Sequence, residues 1–210
     1  MATLIISDLE KKYGSNTVLK FNNFTLNEGI SWLKGGNGTG KTTLFKILAG
    51  QTPFTGSVSL NNILLNKTPA AFRSLISYAE AEPQYPSFVT GKELINYYAS
   101  IRKVSIQQSL HLAEKFEMIP FLDHTIESYS SGMLKKLSLI CAFTGESLLY
   151  LLDEPLITID TNATQVLYRQ IQDLNKKGTI VMLSSHQEID TAMISLSNTF
   201  IINNKQLSAC

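Results

Sequence analysis

Short apolar runs alternate along the chain with segments of helical periodicity. The runs at residues 148–152 and 179–183 are apolar almost throughout, which is typical of strands covered on both faces. Residues 161–175 instead space their apolar side chains so that they share one face of a helix. This alternation predicts an α/β fold, with a mostly parallel sheet and helices packed against it. Further strands are predicted at residues 29–34, 57–60, 76–79 and 199–202, and a further helix at 41–49.

The stretch from about residue 86 to 144 differs, because helical patterns follow one another there without a strong strand between them. Helices are predicted at 91–100, 105–116 and 131–144. We interpret this stretch as a helical lobe inserted into the α/β core. The prediction is a single domain over residues 1–210, with the core at 1–85 and 146–210 and the lobe at about 86–145.

Charge and cysteine content narrow the class of protein. The 18 basic and 17 acidic residues give a net charge of +1, so no basic field draws the chain onto nucleic acid or anionic lipid. Cys141 and Cys210 do not form a disulfide framework, which favours a reducing compartment. No signal peptide is expected, and no apolar run approaches the roughly 20 residues of a membrane helix. Only 17% of the residues are charged, less than the roughly 25% usual for a globular domain, as if part of the surface faced partners.

The strongest local motif is a glycine-rich loop between a predicted strand and a predicted helix. It matches the phosphate-binding pattern G-x-x-x-x-G-K-[ST]. Glycines let the backbone wrap closely around phosphates, and the following helix directs its free N–H groups at them. Lys41 can reach the β- and γ-phosphates, and Thr42 can hold Mg²⁺. The loop comprises Gly35, Gly36, Asn37, Gly38, Thr39, Gly40, Lys41, Thr42 and Thr43.

A second motif is the apolar strand that ends in Asp153 and Glu154. Carboxylates at the C-terminal edge of a parallel sheet lie where such sheets bind ligands. Asp153 can hold Mg²⁺, and Glu154 can polarise a water that attacks the γ-phosphate. An ordinary acidic turn would look similar, but a phosphate loop upstream favours the metal-and-water interpretation.

Two weaker signals accompany these motifs. Ser130, Ser131 and Gly132 open a helix and form either a second anion-binding helix terminus or a plain serine cap. His186 follows Ser184 and Ser185 at the end of an apolar strand, where a lone histidine is more often structural than catalytic.

In order and spacing, these four segments resemble the nucleotide-binding ATPase subunits of ABC transporters, over essentially the whole chain. The loop GGNGTGKTT is similar to their Walker A motif, LLYLLDEP to Walker B and YSSGM to the signature motif. His186 falls at the switch histidine, Tyr13 at the aromatic residue that stacks on adenine, and Asp160 in the D-loop. The resemblance implies a P-loop NTPase core with an N-terminal antiparallel β portion and an inserted helical subdomain. The short chain resembles the ATPases of small exporters, including the haem-export subunit.

The resemblance also implies ATP and Mg²⁺ as cofactors and a mechanism shared by two protomers, identical or different. Each ATP would lie between the Walker A loop of one protomer and the signature helix of the other. Ser130, Ser131 and Gly132 would then donate to the γ-phosphate across the interface, while Lys41, Glu154 and His186 carry the catalysis. A separate integral membrane permease is implied as the second partner, with the ATPase on the cytoplasmic face of the membrane.

Two segments depart from the family pattern. A glutamine that contacts Mg²⁺ and the permease would fall at Ala81, so we assign its metal role to Glu82, with Gln84 as the alternative. A carboxylate cannot donate hydrogen bonds as an amide does. In the D-loop, residues 157–159 also differ from the family pattern, and Asp160 is the only residue there to which we assign the family's role.

Three other functions compete with a transporter ATPase. A soluble ATPase of translation or DNA maintenance would carry a second domain or a coiled coil. A small P-loop kinase or GTPase leaves YSSGM and His186 unexplained, and residues 204–207 lack the acid of a guanine-selecting motif. A binding-only subunit would not need Lys41, Asp153 and Glu154 together. We therefore predict an ATP-hydrolysing subunit that drives a separate permease, for export.

Overall fold

The computed structural model describes residues 1–210. Eleven strands and six α-helices make up the chain, with two 3₁₀ helices at Ile119–Phe121 and Ile126–Ser128. The strands are β1 Thr3–Tyr13, β2 Asn16–Phe21, β3 Phe24–Asn27, β4 Gly29–Lys34, β5 Thr55–Leu60, β6 Ile63–Leu64, β7 Ile76–Ala79, β8 Leu149–Asp153, β9 Ile180–Ser185, β10 Asn198–Asn203 and β11 Gln206–Ala209. The helices are α1 Lys41–Leu48, α2 Pro69–Ser74, α3 Gly91–Arg102, α4 Ile106–Lys115, α5 Ser131–Ala142 and α6 Thr161–Lys176.

A six-stranded sheet forms the centre of the α/β core, in the order β11-β10-β4-β9-β8-β7. The pairs β10–β4, β4–β9 and β9–β8 are parallel, whereas β11 returns antiparallel to β10. Every residue of β8 and β9 is buried, because both faces of these central strands are covered. The carboxyl ends of β4, β8 and β9 therefore meet at one edge of the sheet.

A second, antiparallel sheet is formed mainly by the N-terminal part of the chain. Its central strand is β1, which pairs with β2, β3 and β5, while β6 extends β5. Buried and more exposed residues alternate along the first part of β1, as in a strand with one face on a core. The two sheets confirm the predicted fold class, an α/β P-loop NTPase core with an N-terminal antiparallel portion.

The strands and helices predicted from the hydrophobic pattern all form, with ends shifted by a few residues. β8 differs in one useful respect, since it extends to Asp153 and leaves Glu154 as the first residue beyond the strand. No individual prediction was made for β1, β2, β3, β6, β11 or α2. In β1 the pattern is obscured by an irregular register against β2 between Lys11 and Lys12.

The chain divides into two compact units. The first comprises residues Met1–Tyr78, Ser147–Glu154 and Ile171–Cys210, and the second comprises Ala79–Glu146 and Pro155–Gln170. The second unit contains α3, α4 and α5, together with the residues for which the sequence predicts a helical lobe. Cys141 is buried there, and its burial raises the pKa of the thiol.

Local capping explains where the helices of the second unit begin. Thr90 and Glu93 form a capping box at the start of α3, and Ser130 caps α5 by accepting a hydrogen bond from the backbone N–H of Met133. Pro69 at the first position of α2, in the other unit, has the same effect on helix initiation.

None of the six helices is both long and apolar enough to cross a membrane.

Candidate active site

The glycine-rich loop connects β4 to α1, as the sequence predicts. Gly38 and Gly40 have φ values of 78° and 107°, which residues other than glycine rarely adopt. Gly40 also has the side chain of Leu19 against it, 3.0 Å from where a Cβ would lie. No side chain caps the first turn of α1 and no acidic residue lies in it, so its N–H groups remain suited to phosphate oxygens.

Lys41, the first residue of α1, lies against the loop that precedes it. Its ammonium donates to the carbonyls of Gly35 at 2.7 Å and Gly36 at 3.0 Å. The Lys41 Nζ atom also lies 3.2 Å from Glu154 Oε1, and the two side chains are only 6% and 10% exposed. The Oε1 atom has no hydrogen-bond partner despite this proximity, so the contact is an ion pair and not an aligned hydrogen bond. Phosphate oxygens bound in the loop would compete for the same ammonium.

Glu154 holds a strained backbone position directly after β8. Its φ is 46°, an uncommon value for a residue with a side chain, and its backbone N–H donates to Ser184 Oγ at 3.0 Å. Its other carboxylate oxygen, Oε2, lies 3.1 Å from His186 Nδ1 and accepts from the His186 backbone N–H at 3.3 Å. Glu154 therefore lies between a lysine and a histidine at the edge of the sheet.

The parallel pairing of β8 with β9 brings these residues together. In this register Asp153 is paired with Ser184, so the residues that follow the two strands, Glu154 and His186, emerge side by side. Ser184 Oγ donates to Asp153 Oδ1 at 2.5 Å, which links the two strands through their side chains. The edge of the sheet thus unites Lys41, Asp153, Glu154 and His186, which the sequence assigns to catalysis and metal binding.

Asp153 is fully buried and is suited to a hard cation. One carboxylate oxygen bonds Ser184, and the other accepts from the Tyr78 hydroxyl at 3.3 Å. Mg²⁺ is usually held by one or two carboxylates together with substrate phosphates, and the chain contains no cluster of three or more metal-ligating side chains. Asp153 and the Thr42 hydroxyl supply oxygen donors of the kind that this mode of binding needs.

The metal role assigned to Glu82 stays a prediction. Glu82 and the alternative, Gln84, are both exposed in the loop after β7, within the second unit. In the same unit the buried ammonium of Lys135 donates to the carbonyls of Glu80 at 2.8 Å and Ala81 at 2.6 Å. This loop is therefore fastened to α5 through its backbone.

Tyr13 ends β1 with its side chain half-exposed, as a base-stacking residue requires. Beside the phosphate loop, a polar cleft of about 280 Å³ is lined by Thr17, Val18, Gly38, Thr39 and the turn between β10 and β11. The cleft adjoins the loop and the strand that follows Tyr13. A nucleotide held by the phosphate loop has polar groups and open volume next to it there.

The signature-like segment lies in the second unit, at the start of α5. Ser130 Oγ accepts in the helix cap but retains its own proton to donate, and Ser131 is exposed. A Cβ on Gly132 would lie 2.6 Å from the Thr158 carbonyl oxygen, so only glycine fits without displacement.

Asp160, the remaining predicted binding residue, is held by two neighbours in the second unit. Its Oδ2 lies 2.6 Å from the Lys136 ammonium, and its Oδ1 accepts from the Ala163 backbone N–H at 2.8 Å. The hydrogen bond from Lys136, reinforced by that N–H, lowers the pKa of Asp160. Asp160 therefore opens α6 as a charged cap. A direct role in nucleotide binding stays a prediction.

Three residues of the site were missed by sequence reasoning. Ser184 and Tyr78 bond Asp153, and Lys11 lies under the ring of Tyr13. Ser184 belongs to the segment Ser184-Ser185-His186 that the sequence singles out, although no role is predicted for it there, and Lys11 is two residues before Tyr13 on the same strand. Position in the chain gives a signal for both, whereas Tyr78 is identified only by the pairing of the sheet.

The fold and the site define a class of protein, a P-loop nucleoside triphosphate hydrolase with paired acids beside its phosphate loop. The ABC transporter family matches residues 19–157, and the chain belongs to this family. It is accordingly an ATPase and an ATP-binding subunit, as the motifs predict.

Individual relatives agree with this assignment. The chain is 31% identical to the ABC-type transporter ATP-binding protein EcsA of Bacillus subtilis (strain 168), over 100% of this chain and 87% of that protein. It is 28% identical to the cytochrome c biogenesis ATP-binding export protein CcmA of Legionella pneumophila, over 89% of this chain and 94% of that protein.

A solved ATP-binding subunit of an ABC transporter superposes with a TM-score of 0.89 and 26% identity, over 99% of this chain and 89% of that one. The ADP conformation of another ATP-binding cassette superposes with a TM-score of 0.77 and 19% identity, over 99% of this chain and 90% of that one, and supports the fold alone.

Proposed function

We propose that the chain dimerises around two MgATP and couples their hydrolysis to conformational change in a separate membrane permease, for export. The observation that carries the proposal is the cluster of Lys41, Glu154 and His186 beside the phosphate loop. This cluster joins a cation for phosphate, a buried carboxylate and an imidazole within hydrogen-bonding distance. The name of the relative CcmA includes the word export, which supports the direction.

Hydrolysis follows from the positions of these side chains. Lys41 and the N–H groups of α1 bind the phosphates, and Glu154 accepts the proton of the attacking water. His186 contacts the carboxylate oxygen of Glu154 that Lys41 does not contact. It can hold the γ-phosphate or stabilise the negative charge that develops on it during hydrolysis. Mg²⁺ held by Thr42 and Asp153 would neutralise negative charge on the phosphates. Glu82 is our further candidate for the metal.

Dimerisation completes the site in this proposal. Ser130, Ser131 and Gly132 of a second protomer would face the γ-phosphate held by the first, and Tyr13 would stack on the base. Binding energy for ATP would thereby close the interface, and loss of the γ-phosphate would release it. The remaining residues proposed to contact nucleotide are Gly35, Gly36, Asn37, Gly38, Thr39, Gly40, Thr43 and Asp160.

The proposed location is the cytoplasmic face of the membrane, reached through the permease and without insertion of the chain itself. No nucleic-acid partner is proposed, since the net charge is +1. The second protomer can be another copy of this chain or a related subunit. We propose the whole of residues 1–210 as one ABC ATPase domain.

The decisive experiment replaces Glu154 by Gln. Glu154→Gln keeps the shape of the side chain but removes the proton acceptor, so steady-state ATPase activity should fall by about a thousand-fold while ATP still binds. Sedimentation with ATP and Mg²⁺ should then show a trapped dimer. Glu114→Gln, on the exposed face of α4, is the matched control and should keep wild-type activity. Wild-type rates in Glu154→Gln, or a monomer at every ATP concentration, would contradict the proposal.

Coupling to a permease needs its own measurement. The membrane protein encoded beside this chain should co-purify with it and stimulate its ATPase activity. Stimulation should vanish in Glu154→Gln although the complex still forms. Failure of any membrane protein to change the rate would leave the ATPase intact and overturn the transport part of the proposal.

A further inference from the structure

We propose that Lys11 is a positioning residue that holds the ring of Tyr13 ready for the base of the nucleotide. The inference rests on the ATP binding proposed above and assigns a role to a residue outside the recognised motifs. It starts from a buried ammonium with an aromatic ring over it.

The ammonium of Lys11 is fixed by two hydrogen bonds. Lys11 is only 4% exposed, and its Nζ donates to Thr52 Oγ1 at 2.8 Å and to the carbonyl of Pro53 at 2.7 Å. Burying a cation is unfavourable unless its hydrogen bonds are satisfied, so these acceptors determine where the charge lies. The position of the ammonium is thus set by the loop that follows α1.

The ring of Tyr13 lies on this fixed charge. Lys11 Nζ is 4.4 Å from the ring centroid, which is the geometry of a cation–π contact. Tyr13 is nevertheless 52% exposed. One face of the ring is therefore taken by the ammonium, and the ring retains open surface on which a flat base can stack.

The contact between Lys11 and Tyr13 also relates the binding positions of the base and of the phosphates to the same helix, α1. Thr52 and Pro53 follow the C-terminal end of α1, and the phosphate loop precedes its N-terminal end. Lys11 consequently relates the stacking ring to the helix that binds the phosphates. A ring held in place before binding loses less side-chain freedom on binding, which increases affinity for the base alone.

The test compares ATP with inorganic tripolyphosphate, both with Mg²⁺, by calorimetry. Lys11→Met removes the charge, so the Kd for ATP should rise about five-fold while that for tripolyphosphate is unchanged. Lys11→Arg, which keeps a cation, should recover part of the ATP affinity. In a Tyr13→Leu background, Lys11→Met should have no further effect on ATP.

Thr52→Val provides a milder variant, since it removes one of the two bonds to the ammonium and leaves the charge in place. It should weaken ATP binding by a smaller factor and leave tripolyphosphate binding unchanged, and it decides the matter if Lys11→Met does not fold. Equal weakening of both ligands, unchanged ATP affinity, or an undiminished effect in Tyr13→Leu would overturn the role of Lys11. If the wild-type chain binds neither ligand, the proposed function fails. If it binds both equally well, the stacking of Tyr13 on the base fails together with the present inference, while phosphate binding and hydrolysis stand.

Discussion

Lys41 and Glu154 form a buried ion pair in which each side chain also serves the proposed chemistry. Breaking a buried pair at one partner leaves an uncompensated charge, which costs more than removing both charges together. Lys41→Met should therefore lower the free energy of unfolding by about 3–5 kcal/mol. The double variant Lys41→Met/Glu154→Gln should recover part of that loss.

Urea unfolding of the two single variants and the double variant measures this coupling directly. A coupling energy of about 1–3 kcal/mol is expected for partners in contact. Strictly additive effects would show that the 3.2 Å contact contributes nothing to stability. His186→Ala serves as a reference, since its side chain is more exposed than those of Lys41 and Glu154.

A site residue can be predicted from the sequence when a local motif fixes its position. It cannot be predicted when its role depends on a partner that is distant in the chain. The spacing of the glycines around Lys41 follows from what a phosphate loop needs, so the motif alone locates it. The bond from Ser184 to Asp153 depends on the pairing of two strands far apart in the chain, and no local pattern specifies it. The hydrogen bonds of Lys11 are likewise not specified locally, because its acceptors follow another element, although its place two residues before Tyr13 is a signal.

The capping box of α3 makes the stability of this helix depend on pH. Hydrogen bonds from the Thr90 backbone N–H and from its hydroxyl lower the pKa of Glu93 below its usual 4.5. A lowered pKa in the folded state means that the stabilisation is present above the unfolded-state pKa and is lost as pH falls through the folded value. Glu93→Ala should thus lower the urea midpoint at neutral pH, and the difference from wild type should shrink below about pH 4. Glu127→Ala, in a 3₁₀ turn of the same unit, is the comparison, and an effect of Glu93→Ala that is constant with pH would contradict the capping role.

The close approach of α5 to the residue 155–160 loop makes a second prediction at the level of elements. Alanine is favoured over glycine inside a helix by about 1 kcal/mol, yet at Gly132 its Cβ would lie 2.6 Å from the Thr158 carbonyl oxygen. Overpacking against backbone usually costs about 1–3 kcal/mol, so we expect the clash to exceed the propensity gain. Thermal unfolding should show Gly132→Ala to be less stable than wild type, with its neighbour Ser131→Ala within about 0.5 kcal/mol of wild type. A Gly132→Ala protein of increased stability would mean that the loop yields easily.

Strands and helices could be predicted from the sequence where the spacing of apolar residues was regular, and could not be predicted where that spacing was interrupted. The central strands β8 and β9 are fully buried, so their unbroken apolar runs identify them. β1 was not predicted individually, because a buried lysine and an irregular register interrupt its alternation. The N-terminal sheet was expected only through the family resemblance.

For the whole molecule, a composition that is poor in charge accompanies several large apolar side chains on the surface. Charged residues make up 17% of the chain, and the second unit exposes the large apolar side chains of Phe88, Tyr97 and Ile101. Exposed apolar groups of this size are expected where partners bind. Both observations are consistent with a subunit that shares surface with a second protomer and a permease.

The proposed sharing of sites between two protomers leads to a prediction that only a mixed dimer can test. The experiment mixes two variant proteins. One carries Lys41→Met, which disables the phosphate loop, and the other carries Gly132→Asp, which places a negative charge in the signature segment. Each alone should be inactive, because every site in its homodimer carries one lesion. In a head-to-tail heterodimer, both lesions fall in the same site and the other site is intact.

Equal mixing gives half heterodimers, each with one of two sites complete, so ATPase activity should rise to about a quarter of wild type. Two populations that both carry Lys41→Met are the control and should stay inactive at any ratio. Activity that stays at zero on mixing, with heterodimers verified by affinity tags, would show that each ATP site is built from one chain or that both sites must act together. A Gly132→Asp homodimer with full activity would remove the signature segment from the site altogether.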